Sequence, residues 1–580
     1  MTNAEIADVL LQISILLDIK GEDFNKVRAY QLASDVIANL PEPISAIRDR
    51  GELLRVPRVG KSIGAKIEEL LDTGRLQYYE DLRGDFPPAA LGMLKIPGIG
   101  PKTIKQLIAA GVTSPEELEA AAREGRLRGL PGMGEKTEAE ILRGIGQLRE
   151  FGTRATLGVA WDLAQRIMGA LRDSAPVDQM EAAGSLRRSK ESIGDVDVLV
   201  TSDDPRQVMD RFVHLDLVRS IISHGPTRSS VITDVGMQAD VRVVAPESFG
   251  AALQYFTGSK EHNIALREMG VKQHIKLNEY GVFRVTTGGE ERIGGRTEEE
   301  MYAAVGLAWI PPELRENDGE LEAARTGRLP DLIEPSDIRG DLQMHSTWSD
   351  GHNSIEEMAR AAKGLGYQYV AITDHSPAQK VANGLSVTRL RERQEEIEAA
   401  RRAVPGITIL SGTEVDIRRD GSLDYPDEVL AELDFVIASV HSGWKMPRQA
   451  MTDRVLRALE NPWVDALGHP TGRLIGRREP FDIDLEQVLK AAAGQGVAVE
   501  INAYPDRLDL RDVSARLAVS LGVKLLINTD AHDAGALPYM RFGVATARRG
   551  WVSAKDVLNT LPAGKLLRSL RRAKHHHKAA

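Results

Sequence analysis

Seven short apolar runs in the C-terminal half, 341–345, 369–375, 407–414, 435–441, 463–469, 497–502 and 524–530, end in turn on His345, His375, Glu414, His441, His469, Asn502 and Asp530. Amphipathic, helix-like segments such as 355–365 and 485–493 lie between them. Strands alternating with helices, with polar side chains at the strand C-terminal ends, describe a (β/α) barrel whose working face is the rim of strand ends. Any one of these histidines reads equally well as a core or capped residue. Their repeated placement at strand ends points instead to a metal site.

A second constraint lies upstream, where 184–188 read GSLRR and 194–200 read GDVDVLV. A strand rises about 3.3 Å per residue and alternates its faces, so Asp195 and Asp197 point the same way, about 6.6 Å apart at Cα. Such carboxylates grip paired divalent ions, typically about 3.5–4 Å apart, in phosphoryl and nucleotidyl transfer. The stretch 236–244, GMQADVRVV, supplies a third, Asp240, on a neighbouring strand. Buried structural Asp pairs occur, but a Gly-Ser turn, a D-x-D strand and a later strand Asp together predict nucleotidyl transfer.

Three segments near the N-terminus repeat one another: 54–67 (LRVPRVGKSIGAKI), 94–107 (LKIPGIGPKTIKQL) and 128–142 (RGLPGMGEKTEAEIL). Each sets a Gly-containing turn between two short helical patterns, a helix-hairpin-helix. Glycines let the turn approach a phosphate, and the next helix N-terminus offers free N–H groups. Such contacts hold a nucleic-acid backbone without reading bases. Gly60, Gly98, Gly100, Gly132 and Gly134, with Lys61, Lys102, Lys105 and Lys136, are the candidate contacts. A helical bundle with Gly turns is the alternative; the repetition and the lysines favour DNA.

The 42% hydrophobic and 27% charged residues are ordinary for a globular chain, and no run is apolar enough to span a membrane. The start lacks a signal peptide's pattern, so a cytoplasmic, nucleoid-associated protein is expected. Without cysteine there are no disulfides or thiolate zinc sites, and metals must sit on His, Asp or Glu. The net charge of −10 argues weakly against nucleic-acid binding, since acidic metal sites can mask a local basic surface.

Taken together, these pieces resemble bacterial PolX, the family X DNA polymerases with a C-terminal PHP (polymerase and histidinol phosphatase) domain. The resemblance rests on GSLRRSKESIGDVDVLV (184–200), QADVRVV (238–244), and YFTGS (255–259) followed by His262-Asn263 and Leu266-Arg267. For the C-terminal half it rests on DLQMHSTWSDG, AITDHS, GTEVDI, SVHSG, GHP and NTDAH. It implies a multidomain α+β and α/β chain. A helical DNA-end-binding, lyase-like domain would occupy 1–82, and a second hairpin subdomain 83–150. A palm with a mixed β-sheet would follow at 151–245 and a nucleotide-selecting subdomain at 246–315. After a charged linker, 316–338, the barrel-like PHP phosphoesterase domain would run from 339 to 574.

By the same resemblance Asp195, Asp197 and Asp240 are the catalytic metal ligands, Asp240 standing next to the primer 3′-hydroxyl. Gly184, Ser185, Arg188 and Gly194 would contact the triphosphate. Tyr255, Phe256 and Gly258 would line the sugar, and Asn263 and Arg267 the nascent base pair and template side. Gln238 stands where the animal polymerase has an Arg, and Lys260 where it has an acidic residue. Lys66 falls on the Schiff-base lysine that removes a 5′-deoxyribose phosphate, and Lys26 on a 5′-phosphate ligand. Arg58 replaces the hairpin Gly and Ser62 a supporting Lys, so plain phosphate binding by Lys66 is the favoured alternative. The PHP metal ligands carry over as His345, Asp350, His375, Glu414, His441, His469, Asp530 and His532. The opening H-x-H has become Gln343-Met344-His345, putting a weaker neutral oxygen at one position.

The implied activity is template-directed gap filling in DNA repair, of base-excision or end-joining type, with a linked 3′→5′ exonuclease or phosphoesterase. Abasic-site or 5′-deoxyribose phosphate processing would accompany it. Mg²⁺ or Mn²⁺ is expected at the polymerase site and up to three Mn²⁺ or Zn²⁺ at the PHP site. Expected partners are gapped or nicked DNA, deoxynucleoside triphosphates and repair proteins, with no membrane and a monomeric chain. The alternative is a template-independent nucleotidyltransferase with a non-catalytic PHP scaffold.

Overall fold

The computed structural model describes every residue except 2, 39, 41–43, 97–98, 136, 140, 144, 146–153 and 571–580. Gly98 and Lys136 therefore lie outside the described residues. The chain divides into two compact units, Met1–Gly152 and Thr153–Ala580. No helix among the described residues is long and apolar enough to cross a membrane.

The first unit is helical. Ile6, Leu10, Ile13 and Leu17 recur at helical spacing along Asn3–Lys20 and bury against Tyr30, Ala33 and Ile37 of Phe24–Ala38. Ile63, Ile67 and Leu70 of Lys61–Thr73 complete that core. Gly74 ends this helix in a left-handed conformation, its N–H bonded to the Leu70 carbonyl. A second core gathers Ile96, Ile99, Ile104, Leu107 and Leu118 around Pro101–Ala109 and Pro115–Arg123.

The second unit opens with a five-stranded mixed sheet in the order Gln179–Ala182, Asp195–Thr201, Gln238–Val243, Arg228–Thr233, Val218–His224. Only the pair Asp195–Thr201 and Gln238–Val243 is parallel. Leu157–Ser174 packs its apolar face here, and the buried Val196, Val198 and Val200 anchor the strand that carries the D-x-D pair. Helices Phe249–Thr257 and Lys260–Lys272 then lead into an antiparallel three-stranded sheet, 275–294.

The segment 316–338, read as a linker, is folded against its neighbours. It forms the helix Glu320–Arg325, whose buried Glu320 lies 2.6 Å from His262 Nδ1. Further on, the Ile333 N–H donates to the Val552 carbonyl and Ile333 enters the barrel core. Most of its charges are exposed, as in a solvated tether, and only Glu320 is buried in a pair, which composition alone does not distinguish.

All seven apolar runs form strands, and they pair in parallel in chain order: Gly340–Met344, Tyr369–Ile372, Thr408–Asp416, Phe435–Ser439, Ala466–Leu467, Ala498–Asn502 and Leu525–Asn528. First and last nearly close the ring, His345 N–H donating to the Ala531 carbonyl (2.8 Å) and Leu342 N–H to Asn528 Oδ1 (3.1 Å). Side chains alternate with the strand period. Tyr369, Ala371, Phe435 and Ile437 fill one cluster with Leu566 and Leu570, while Val370, Ile372, Val436 and Ala438 pack in the others. Because every strand runs the same way, all seven C-terminal ends share one rim.

Candidate active sites

The first site sits on the parallel strand pair. Register sets Asp197 directly opposite Asp240 and Asp195 opposite Gln238. One oxygen from each of Asp195, Asp197 and Asp240 lies within 4.8 Å of the others. Burial first, then the charges of Asp195 and Asp240, push the Asp197 carboxyl up to about 7. Three crowded carboxylates of this kind fit hard divalent cations such as Mg²⁺ or Mn²⁺. Asp240 is held from three sides: Ser230 Oγ donates to Oδ1, Gln238 Nε2 to Oδ2 at 2.7 Å, and Arg228 to Oδ1 at 3.3 Å.

Gly184 opens the turn before this strand with φ +64°, and a Cβ there would stand 2.6 Å from Asp197 Oδ2. Ser185 and Arg188 follow within the same turn, Gly184–Arg187 and its cap. Arg188 donates to the Thr257 carbonyl, beside Gly258, and its Nε meets Glu316 Oε1 at 3.2 Å. Gly194 lies next to Arg154, where a Cβ would approach the guanidinium at 3.2 Å. Tyr255, Asn263 and Arg267 are tied to one another. Asn263 donates to the Tyr255 carbonyl, Gln254 donates to Asn263, and Arg267 donates to the Asn263 carbonyl. The Tyr255 and Phe256 rings meet edge to face, and Arg242 covers the Phe256 ring at 4.5 Å. Ser230, Arg228, Gln254 and Arg242 were not singled out in the sequence; sheet register brings Ser230 and Arg228 to Asp240, whereas Gln254 and Arg242 lie within a few residues of Tyr255 and Asp240.

The second site lies on the barrel rim. His345, Asp350, His375 and His532 form one group, His375, Glu414 and His441 a second, and His345, Glu414 and Asp530 a third. His345, His375 and Glu414 each belong to two groups, so the three are one continuous cluster. His469 adjoins it, with Nε2 2.8 Å from Glu414 Oε1. Burial works against charge on His441, yet Glu414 and Asp416 push its pKa up to about 10, Asp416 lying 2.6 Å from Nδ1. Asp416 is thus an orienting carboxylate of the kind that fixes a ligand histidine's tautomer. Gln343 is buried, donates weakly to Asp530 at 3.4 Å, and leaves Oε1 without a partner. His345 Nδ1, Asp350 Oδ1 and His469 Nδ1 are likewise buried and unpartnered. Buried polar atoms are normally satisfied, and this nitrogen and oxygen set fits Mn²⁺ or Zn²⁺.

In the first unit, Gly60 and Gly100 cap Lys61–Thr73 and Pro101–Ala109 with extended backbone, and nothing lies within 4 Å of where their Cβ atoms would stand. Gly134 is equally open, and Gly132 turns with φ +77°. Lys26, Lys61, Lys102 and Lys105 are exposed. Lys66 differs: its Nζ hangs 4.6 Å over the Tyr78 ring and within reach of Ser62. Burial first, with Lys26 adding, lowers its pKa against the pull of Glu69.

Comparison with known proteins agrees with this anatomy. The helix-hairpin-helix domain family matches residues 1–76 and the SAM-like helix-hairpin-helix tandem matches 90–146. The DNA polymerase beta thumb matches 252–316 and the PHP domain 341–504. That combination defines the class, a polymerase of the DNA polymerase beta type joined to a metal-dependent hydrolase domain. DNA polymerase/3'-5' exonuclease PolX of Bacillus subtilis is 40% identical over 562 residues, 96% of this chain and 97% of that protein. The chain belongs to the PolX family of family X DNA polymerases. Its barrel is also similar to proteins named "Probable phosphatase". One from Thermoanaerobacter is 32% identical over 40% of this chain and 95% of its own length, and one from Acetivibrio thermocellus 34% over 33% and 78%.

Proposed function

We propose that the chain extends a DNA primer across a templated gap at Asp195, Asp197 and Asp240, and trims 3′ ends at the barrel rim. The observation that carries the first half is the register that sets Asp197 opposite Asp240, with Gly184 closed against Asp197. Ser185, Arg188 and Gly194 hold the triphosphate, and Asp240, fixed by Ser230, Gln238 and Arg228, orients the primer 3′-hydroxyl. The 3′-oxygen bonds to the α-phosphorus and pyrophosphate leaves. Gln238 takes up the orienting role despite lacking a charge, and Arg228 supplies the nearby cation. Tyr255, Phe256 and Gly258 face the sugar, and Asn263 and Arg267 the nascent pair.

At the rim, Glu414 is the shared carboxylate, with His345, His375, His441 and His469 around it. Asp350, Asp530 and His532 complete the ligand set, and Gln343 offers a neutral oxygen. When bound, divalent ions (Mg²⁺ or Mn²⁺ at the triad, up to three Mn²⁺ or Zn²⁺ at the rim) acidify the attacking hydroxyl or water and stabilise the departing oxyanion. Linking both sites in one chain raises the local concentration of a trimmed end at the polymerase. The hairpins at Gly60/Lys61, Gly100/Lys102 and Gly132/Gly134 hold the phosphate backbone. A monomeric repair enzyme of the cytoplasm and nucleoid, working with other repair proteins on gapped or nicked DNA, fits this set.

The test follows 5′-labelled gapped DNA with the wild type, Asp240→Ala and a His375→Ala/His441→Ala double variant. Extension should fail only in the first variant and 3′ shortening only in the second. Extension without template would favour the template-independent alternative, and shortening that survives the double variant would sink the rim assignment. A further reading is favoured by Lys66, whose pKa burial lowers, which suits an amine nucleophile better than a phosphate ligand. Borohydride should trap it on 5′-deoxyribose phosphate DNA, with Lys26 beside the 5′-phosphate, and Lys66→Ala should abolish the adduct. An adduct retained in that variant removes Lys66 from the chemistry.

A further inference from the structure

Two arginines of the barrel reach into the loop between the Gly184 turn and the Asp195–Thr201 strand. Arg549 ends the helix Met540–Arg549. It donates to the Arg188 backbone carbonyl at 2.7 Å and to Glu316 Oε1 at 3.0 Å, while Asp512 steadies its other side at 2.8 Å. Glu316 Oε1 is the same oxygen that Arg188 Nε meets at 3.2 Å, with Lys190 Nζ 3.8 Å away. Further along the loop, Glu191 pairs with Arg473 at 2.8 Å. Arg473 is itself fixed to the carbonyls of Arg507 and Leu508. The side chains of Arg549, Arg473 and Arg188 are 7%, 8% and 13% exposed, so solvent does little to screen these interactions.

We propose that Arg549 and Arg473 are positioning residues for the incoming nucleotide, contributed to the polymerase site by the phosphoesterase domain. The inference rests on the reading that Ser185 and Arg188 hold the triphosphate. One carboxylate shared among three cations neutralises each of them only in part. Without Arg549, Glu316 turns wholly to Arg188 and Lys190 and draws Arg188 away from the phosphates. The carbonyl of Arg188 also loses its tether, so the turn that presents Arg188 to the triphosphate is held less firmly and nucleotide binding weakens. Arg473 fixes the other end of the same loop.

Single-nucleotide gap filling by the full chain with Mg²⁺, measured against dNTP concentration, tests this in the wild type, Arg549→Ala, Arg549→Lys, Glu191→Gln and Arg188→Ala. Arg549→Ala should raise the dNTP KM about tenfold, the lower end for loss of a supporting partner. Its kcat should stay within about twofold, the signature of lost binding rather than lost chemistry. Arg549→Lys should recover part of the loss, keeping the charge without the planar fork. Glu191→Gln preserves the side chain's shape, removes only the ion pair, and should raise KM in the same direction. The 3′-shortening activity of Arg549→Ala should match wild type, showing that the barrel is folded; if that variant does not fold, Glu191→Gln decides. An unchanged dNTP KM in Arg188→Ala would sink the underlying reading of the triphosphate site. A raised KM in Arg188→Ala with unchanged KM in both Arg549→Ala and Glu191→Gln, or a fall in kcat alone, overturns the positioning role.

Discussion

Gly184 and Asp197 are bound together sterically and electrostatically. At φ +64°, with a Cβ only 2.6 Å from Asp197 Oδ2, position 184 admits no side chain without moving the carboxylate. Gly184→Ala is therefore expected to cut extension by about 100-fold, the scale of a small misplacement at a reacting centre, and to leave 3′ shortening untouched. Asp197 carries a pH signature. Its folded pKa of about 7 lies above the ordinary aspartate value of 3.8, so its contribution to stability is complete below about 3.8 and lost as pH rises through about 7. Without divalent ions, Asp197→Asn should raise Tm, and by more at pH 8 than at pH 5.5; thermal melts in EDTA check both signs. A centre that loses stability to crowd its carboxylates is common at functional sites.

At the scale of elements, the first hairpin bears a visible strain. Arg58 adopts φ +64°, a left-handed backbone that costs an L-residue about 1–2 kcal/mol. Arg58→Gly should raise the melting temperature of the hairpin unit while lowering DNA affinity, because a cation is removed. The departure from glycine was legible in the sequence; its conformation was not, since a turn's handedness depends on how its two helices dock. Glu298 shows the same division. It accepts paired bonds from Arg187 and Arg315 and one from Trp309, and despite burial these hold its pKa at about 2. Glu298→Gln leaves the fully buried Arg315 without its counter-charge. It should lower stability by about 3–5 kcal/mol in equilibrium denaturation. Nothing around Glu298 in the sequence marks it, since its partners lie 111 and 17 residues away. The seven barrel strands were legible because a buried parallel strand is a local apolar run. The packing of 316–338 was not, because its charges are mostly exposed and the one buried carboxylate, Glu320, finds its partner His262 58 residues away.

Across the whole molecule, the two sites should respond separately to loss of their own residues, while the hairpins set how the chain tolerates salt. Substituting Lys61 or Lys102 by Ala should make the slope of log K against log salt shallower by about 1 for each phosphate no longer neutralised. Fluorescence-anisotropy titrations at several salt concentrations would show it, and an unchanged slope would mean that the lysine does not touch the DNA backbone. The sequence by itself determined which side chains are the candidates for the chemistry: the D-x-D strand, the glycine turns and the strand-end residues. Those signals are local, arising from strand period, backbone sterics and the donor atoms metals require. Tertiary structure alone decided what surrounds them: Ser230 and Arg228 on Asp240, Asp416 on His441, and Arg549 and Glu316 around Arg188. These neighbours come from distant parts of the chain, brought together by sheet register and by the packing of barrel against palm, and a local pattern carries no record of either.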